Sequence, residues 1–173
     1  MDIDVNSLQK DSIRFDYYLP RVKCERIEHL IQFEPQGMHC IGELRSTGQE
    51  IKLSGTYQVK VTTLCDWCAE ELSRLFTGEV DILLQAWEER HHIQGDEEIN
   101  ANDIDIDYFS TGRIDLDQIF EDQFLLDYPL IVTCSDNCKG LCPQCGTNLN
   151  HSSCECHGSN QDNPFSILKK LQH

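Results

Sequence analysis

Apolar residues recur at every second position through the first half of the chain. Ile3, Val5 and Leu8 suggest a short turn or helix, and Ile13, Phe15 and Tyr17 then alternate as a strand does. Residues 27–33 place Ile27, His29, Ile31 and Phe33 on one strand face. Pro35 and Gly37 mark a turn, and a second strand follows near 39–46. Ile51, Leu53, Tyr57, Val59 and Val61 have strand character, with Gly55 as a bulge or a point of close packing. After Cys68, the run LFTGEVDILLQAW returns as a strand with Val80, Ile82 and Leu84 on one face. Residues 25–86 therefore predict a small antiparallel meander, a barrel-like sheet.

The period changes at residue 115. Asp115 can cap a helix with Gln118 as reciprocal partner, Leu116, Ile119, Phe120 and Phe124 share one face, and Pro129 ends it. The tail NPFSILKKLQH reads as a last short helix. Asn163 caps it, Pro164 opens it, Phe165 and Leu168 face inward, and Lys169 and Lys170 sit at the negative end of the dipole. The fold class expected is α+β: the sheet, a few short helices and a C-terminal four-cysteine zinc knuckle module. The expected divisions are a mainly β domain over 1–133 containing helix 115–127, a cysteine-rich module over 134–158 and a helical tail over 159–173. Residues 88–107 lack a sustained apolar period and read as an acidic loop.

Charge sharpens this picture. The net charge of −16 is uneven: residues 66–136 carry 19 acids against 3 bases, whereas residues 1–65 are close to balanced. Such a block solubilises the chain or meets a basic partner. A direct grip on phosphates needs lysines and arginines to displace counterions, and the chain has no basic run. The first twenty residues show neither a basic nor an apolar signal region, and no apolar run approaches the length of a membrane span. The expectation is a reducing cytoplasm, no membrane and no small-molecule substrate.

In such a compartment clustered cysteines hold metal more often than they pair. Residues 134–156, CSDNCKGLCPQCGTNLNHSSCEC, contain six cysteines in 23 positions. Cys142 and Cys145, two residues apart and followed by Gly146, form a zinc-knuckle pattern in which the glycine permits the positive φ of a tight turn. Cys154 and Cys156 lie close enough to complete four ligands. Cys65 and Cys68 form a second knuckle between two expected strands, and Cys134 and Cys138 stand upstream of the first. The partition expected is two zinc ions, one held by Cys65, Cys68, Cys134 and Cys138 and one by Cys142, Cys145, Cys154 and Cys156. The first would staple the meander to the end of the helix. The rival is a crossed site in which the two knuckles share one metal. Free reduced thiols at this density would be prone to oxidation. Cys24 and Cys40 read as buried thiols acting as small hydrophobes. His91, His92 and His151 read as surface residues, although His151 sits among the cysteines.

An all-cysteine zinc site is closed, whereas a catalytic one keeps an open position. No phosphate loop, dinucleotide glycine fingerprint, nucleophile elbow or HExxH motif occurs. No catalytic residue is assigned, and the expectation is a protein that is not an enzyme. A redox role for Cys65 and Cys68 fits poorly, because their flanks read as strand rather than as the βαβ unit of a thioredoxin-like pair.

Five separated elements occur in order: IDVNSLQK…FDYYLP, a strand ending in CDWC, GRIDLDQIFEDQFLLDYPL, CKGLCPQCGTNLN…CEC, and NPFSILKKL. Together they make the chain similar to the YceD family of large ribosomal RNA subunit accumulation proteins. That resemblance implies a part in the accumulation of 23S ribosomal RNA and in large-subunit assembly, in bacteria or plastids. It also implies that the two knuckles are separate sites, since some family members keep the first and lack the second. Trp67 departs from the basic residue common there. Three roles remain open at this level. They are an acidic, zinc-stabilised adaptor for a basic ribosomal protein, a zinc-ribbon protein touching pre-ribosomal RNA through Lys139, Lys169 and Lys170, and a thiol and zinc redox sensor.

Overall fold

The computed structural model describes residues 1–8, 12–20, 31–47, 50–86, 106–110 and 112–156. Residues 87–105, with His91 and His92, lie outside this set, as do Cys24 and the tail from 157 onward. Residues 88–105 of the expected 88–107 loop, and the expected C-terminal helix, are therefore not described. The chain forms two compact units, one of residues 1–64 and 71–131 and one of residues 65–70 and 132–173.

The first unit is mostly sheet. Its strands are β1 (Asp2–Asp4), β2 (Ile13–Leu19), β3 (Ile31–Phe33), β4 (Met38–Ser46), β5 (Ile51–Leu64), β6 (Glu71–Ala86), β7 (Ile106–Phe109) and β8 (Arg113–Asp115), and a short 3-10 helix spans Val5–Leu8. The one α-helix among the described residues is α1 (Leu116–Asp127). β1 and β8 form a two-stranded ribbon. The main sheet runs β2-β4-β5-β6-β7, with β3 also paired to β5.

Both sheets are open, so the expected barrel-like closure does not occur. The main sheet's path ends on β2 and on β7, and closing a barrel requires the end strands to pair. Within residues 25–86, β4, β5 and β6 are consecutive antiparallel neighbours, as a meander requires, and the sheet extends beyond that span. β7 pairs parallel to β6, and it takes in Ile106 and Asp107 from the segment that composition assigns to the acidic loop. The alternation of Ile106 and Tyr108 supplies that short strand's pattern.

Strict alternation along β5 buries Ile51, Leu53, Tyr57, Val59 and Val61 on one face. α1 covers that face with Leu116, Phe120 and Phe124, all fully buried, while Ile119 packs at the margin. Each such side chain contributes about 1.5–3 kcal/mol on burial, without which a 12-residue helix is marginal. Asp115 caps α1, its carboxylate accepting from the N–H groups of Asp117 (3.0 Å) and Gln118 (3.4 Å). Phe124 centres an aromatic cluster with Phe33, Tyr57, Phe76 and Tyr128.

Gly55 is not a bulge, because the β4–β5 register passes through Gly42↔Gly55 without interruption. A β-carbon at Gly42 would collide with the Phe15 ring and one at Gly55 would crowd the Phe120 ring. The glycine pair thus makes room for those two rings, which meet edge to face at 5.8 Å. Cys40 is buried in the same core, as expected, and burial pushes its thiol up to about 12. No helix among the described residues is long and apolar enough to cross a membrane.

Candidate metal centres

The second unit takes its first six residues from the connection between β5 and β6. Residues 65–70 form a tight turn in which the Ala69 N–H donates to the Cys65 carbonyl (2.8 Å) and the Cys65 N–H donates to the Glu70 carbonyl (2.8 Å). Residues 142–147 repeat this pattern. The Gly146 N–H donates to the Cys142 carbonyl (2.9 Å) and the Cys142 N–H to the Thr147 carbonyl (2.8 Å). In both turns the residue after the second cysteine has positive φ, 58° at Ala69 and 72° at Gly146. Gly146 follows from the sequence. Ala69 does not, because alanine carries no signal for the left-handed region. Only its place after a Cys-x-x-Cys pair, matching that of Gly146, could have revealed it.

Backbone bonds fasten these turns to the rest of the unit. The Asp66 N–H donates to the Val132 carbonyl (2.8 Å), and the Asp66 carboxylate accepts from the Val132 N–H (2.5 Å). The Leu141 N–H donates to the Trp67 carbonyl, and the Leu149 N–H to the Gly140 carbonyl, each at 2.9 Å. Asn150 accepts from the Lys139 N–H (2.8 Å) and donates to the Cys138 sulfur (3.3 Å). The sequence gives no hint of these roles for Asp66 and Asn150. His151 is outside both sulfur groups, and its Nε2 pairs with a Glu70 carboxylate oxygen.

The eight cysteines fall into two sets. Cys65, Cys68, Cys134 and Cys138 form one and Cys142, Cys145, Cys154 and Cys156 the other, with the sulfurs of each set all within 4.8 Å of one another. The two knuckles thus lie in separate sets and are not crossed. In the first set Cys65 and Cys138 Sγ are 3.9 Å apart, and Cys68 and Cys134 Sγ are 3.6 Å apart. Four thiolates at about 2.3 Å from one ion define a tetrahedron with an edge of about 3.8 Å. A disulfide would bring two sulfurs to about 2.05 Å. The donor set and its spacing fit a closed four-thiolate metal site, so both groups could hold an ion.

The electrostatics point the same way. Burial pushes the Cys65 thiol up, yet the N–H groups of Cys68, Cys134 and Trp67 outweigh it and hold it at about 6. The Thr147 hydroxyl and N–H bring Cys145 down to about 6, and the Asn150 amide lowers Cys138. Four other sulfurs are raised. Cys145 pushes Cys156 up to about 12, and Cys138 raises Cys134. Cys68 reaches about 12: the Glu70 N–H favours its thiolate, but burial and the neighbouring sulfurs prevail. Cys154 is raised although the Cys156 N–H opposes it. Without a cation the thiolates of each set therefore repel one another's charge, and a divalent ion at the centre reverses that.

The two sets differ in burial. Cys65, Cys68 and Cys138 are buried with Cys134 exposed, whereas in the second set only Cys142 is buried.

A family model described as "Large ribosomal RNA subunit accumulation protein YceD" matches residues 53–172, a span that holds all eight of these cysteines. The chain is similar to the chloroplastic large ribosomal RNA subunit accumulation protein YCED homolog 1 of Arabidopsis thaliana. The two are 24% identical over 144 residues, which cover 72% of this chain and 45% of that protein. It is also similar to the homolog 1 of Zea mays, 38% identical over 69 residues, which cover 39% of this chain and 24% of that protein. These matches span less than half the length of either curated relative. No solved structure matches the chain. The family model accounts for well over half of the residues, and the chain belongs to the YceD family of large ribosomal RNA subunit accumulation proteins.

Proposed function

We propose that this chain is a non-enzymatic assembly factor that supports accumulation of 23S ribosomal RNA and formation of the large ribosomal subunit. The family match over residues 53–172 carries this reading. Each four-cysteine set holds a zinc ion as architecture. A closed site of four thiolates leaves no position for substrate, so the metal stabilises the fold and takes no part in a reaction. The chain works in the cytoplasm and acts as an acidic adaptor. Ribosomal proteins are strongly basic, and 19 acids against 3 bases over residues 66–136 give a field that steers such a protein and keeps it soluble.

The test has two arms. Depleting the protein in its own cells is expected to lower large-subunit RNA relative to small-subunit RNA, and an unchanged ratio removes the proposal. Purified protein is then titrated with basic large-subunit ribosomal proteins and with 23S RNA fragments across salt. Tight binding to the proteins is expected. Binding to naked RNA alone, with a steep salt slope, replaces the adaptor with a direct RNA binder.

A further inference from the structure

On α1, Leu116, Phe120 and Phe124 are buried in the core and Ile119 packs against its margin, whereas Leu126, on one helical face with Ile119, is 79% exposed. Beside Ile119 lie two hollows of about 460 and 270 Å³, and both are lined by Asp107, Ile119 and Asp122. They adjoin as one groove along α1 beside β7. Its lining residues on α1 run from Gln118 to Leu126, about 12 Å of helix.

The groove's floor is apolar along the smaller hollow, where Ile82, Ile106 and Leu126 line it, whereas the larger hollow presents mostly polar surface. Its rim is acidic. Asp2, Asp107, Asp115 and Asp122 line it, all exposed, against one cation, Arg113. Asp115 is engaged in capping α1, and Asp107 accepts from its neighbour's N–H. An apolar floor with an anionic rim selects its occupant on two counts. Apolar side chains bury on the floor, and Lys or Arg side chains on the same segment meet the carboxylates.

We infer that this groove is the docking site for a basic amphipathic segment of a protein partner. The inference rests on the adaptor reading and adds to it the place where the partner sits. The anionic rim repels a phosphate backbone, so the occupant is polypeptide and not RNA.

The experiment measures binding of the full chain to each purified basic large-subunit ribosomal protein and to a 23S RNA fragment. It compares the native sequence with Leu126→Ser, Asp122→Lys and a control, Glu79→Gln, which lies outside the groove. Leu126, Asp122 and Glu79 are all exposed, so each variant is expected to keep the native melting temperature. The expected result is about tenfold weaker protein binding for each groove variant and no change for the control. Protein binding that both groove variants leave intact overturns the groove and leaves the adaptor standing. Failure of the native chain to bind any ribosomal protein overturns both. Weakened binding to RNA alone overturns the groove as a protein site.

Discussion

Residues 65–70 and 142–147 are one turn written in two sequences. Both place a cysteine at each end of a Cys-x-x-Cys pair, return the same two backbone hydrogen bonds, and put the following residue at positive φ. One uses Gly146 for that residue, the other Ala69. The turn is therefore imposed by the need to aim two sulfurs at one point, strongly enough to hold an alanine where glycine is favoured by about 1–2 kcal/mol. What differs is the company each turn keeps. The 65–70 turn meets Cys134 and Cys138 from the far side of the chain, with Cys68 and Cys134 separated by 66 positions, in a mostly buried set. The 142–147 turn meets Cys154 and Cys156 nearby, in a set where only Cys142 is buried.

That contrast sets how much is lost when each site is broken. Closing the longer loop restricts the unfolded chain more, by about 2 kcal/mol for a roughly sevenfold difference in length. The replacement Cys65→Ser with Cys68→Ser is expected to have the largest effect. A zinc ion held by the first set would contribute an energy comparable to the whole stability of a small unit, so residues 132–156 are expected to lose their protection from amide exchange. Normal protection in that variant would show that the first set contributes nothing to folding. Cys145→Ser with Cys156→Ser comes next. Loss of protection is expected to stay within residues 142–156, and spread beyond them would erase the contrast.

Asn150→Ala is smaller. It removes the amide that donates to Cys138 and accepts from Lys139, and about 1–2 kcal/mol of stability is expected to go with it. Chelator competition should show faster metal loss from the first set only. An equal rate in both sets would place Asn150 outside the site. Ala69→Gly is expected to have the smallest effect, a gain of up to about 1 kcal/mol in denaturant titration. Gly146→Ala should give a loss of similar size. A destabilised Ala69→Gly protein would mean that the left-handed residue is not strained.

The sequence carried the parts of this structure that depend on periodicity and spacing. Alternation along Ile51, Leu53, Tyr57, Val59 and Val61 marks β5 because one face of that strand is buried and the other is not. Asp115 with the Leu116, Phe120 and Phe124 face marks α1 for the same reason. The sulfur count and the spacing suggested two groups of four with a crossed arrangement as the rival, and the sulfurs lie in two such groups. Open sheets were not legible, because alternation reports burial and says nothing about whether the end strands meet. The parallel partner β7 was hidden because Asp107 and the acidic run before it in the sequence mask a strand of only four residues. Ala69, Asp66 and Asn150 were hidden because their work is done by φ and by bonds to distant backbone.

The central claim is that two separate four-thiolate sites each hold one zinc ion. Native mass spectrometry of protein purified without added metal tests it most directly, on the intact chain and on the Cys65→Ser, Cys68→Ser variant. Two zinc ions falling to one is the result expected. An intact chain that carries no zinc, or a variant whose zinc count drops to zero or stays at two, contradicts it.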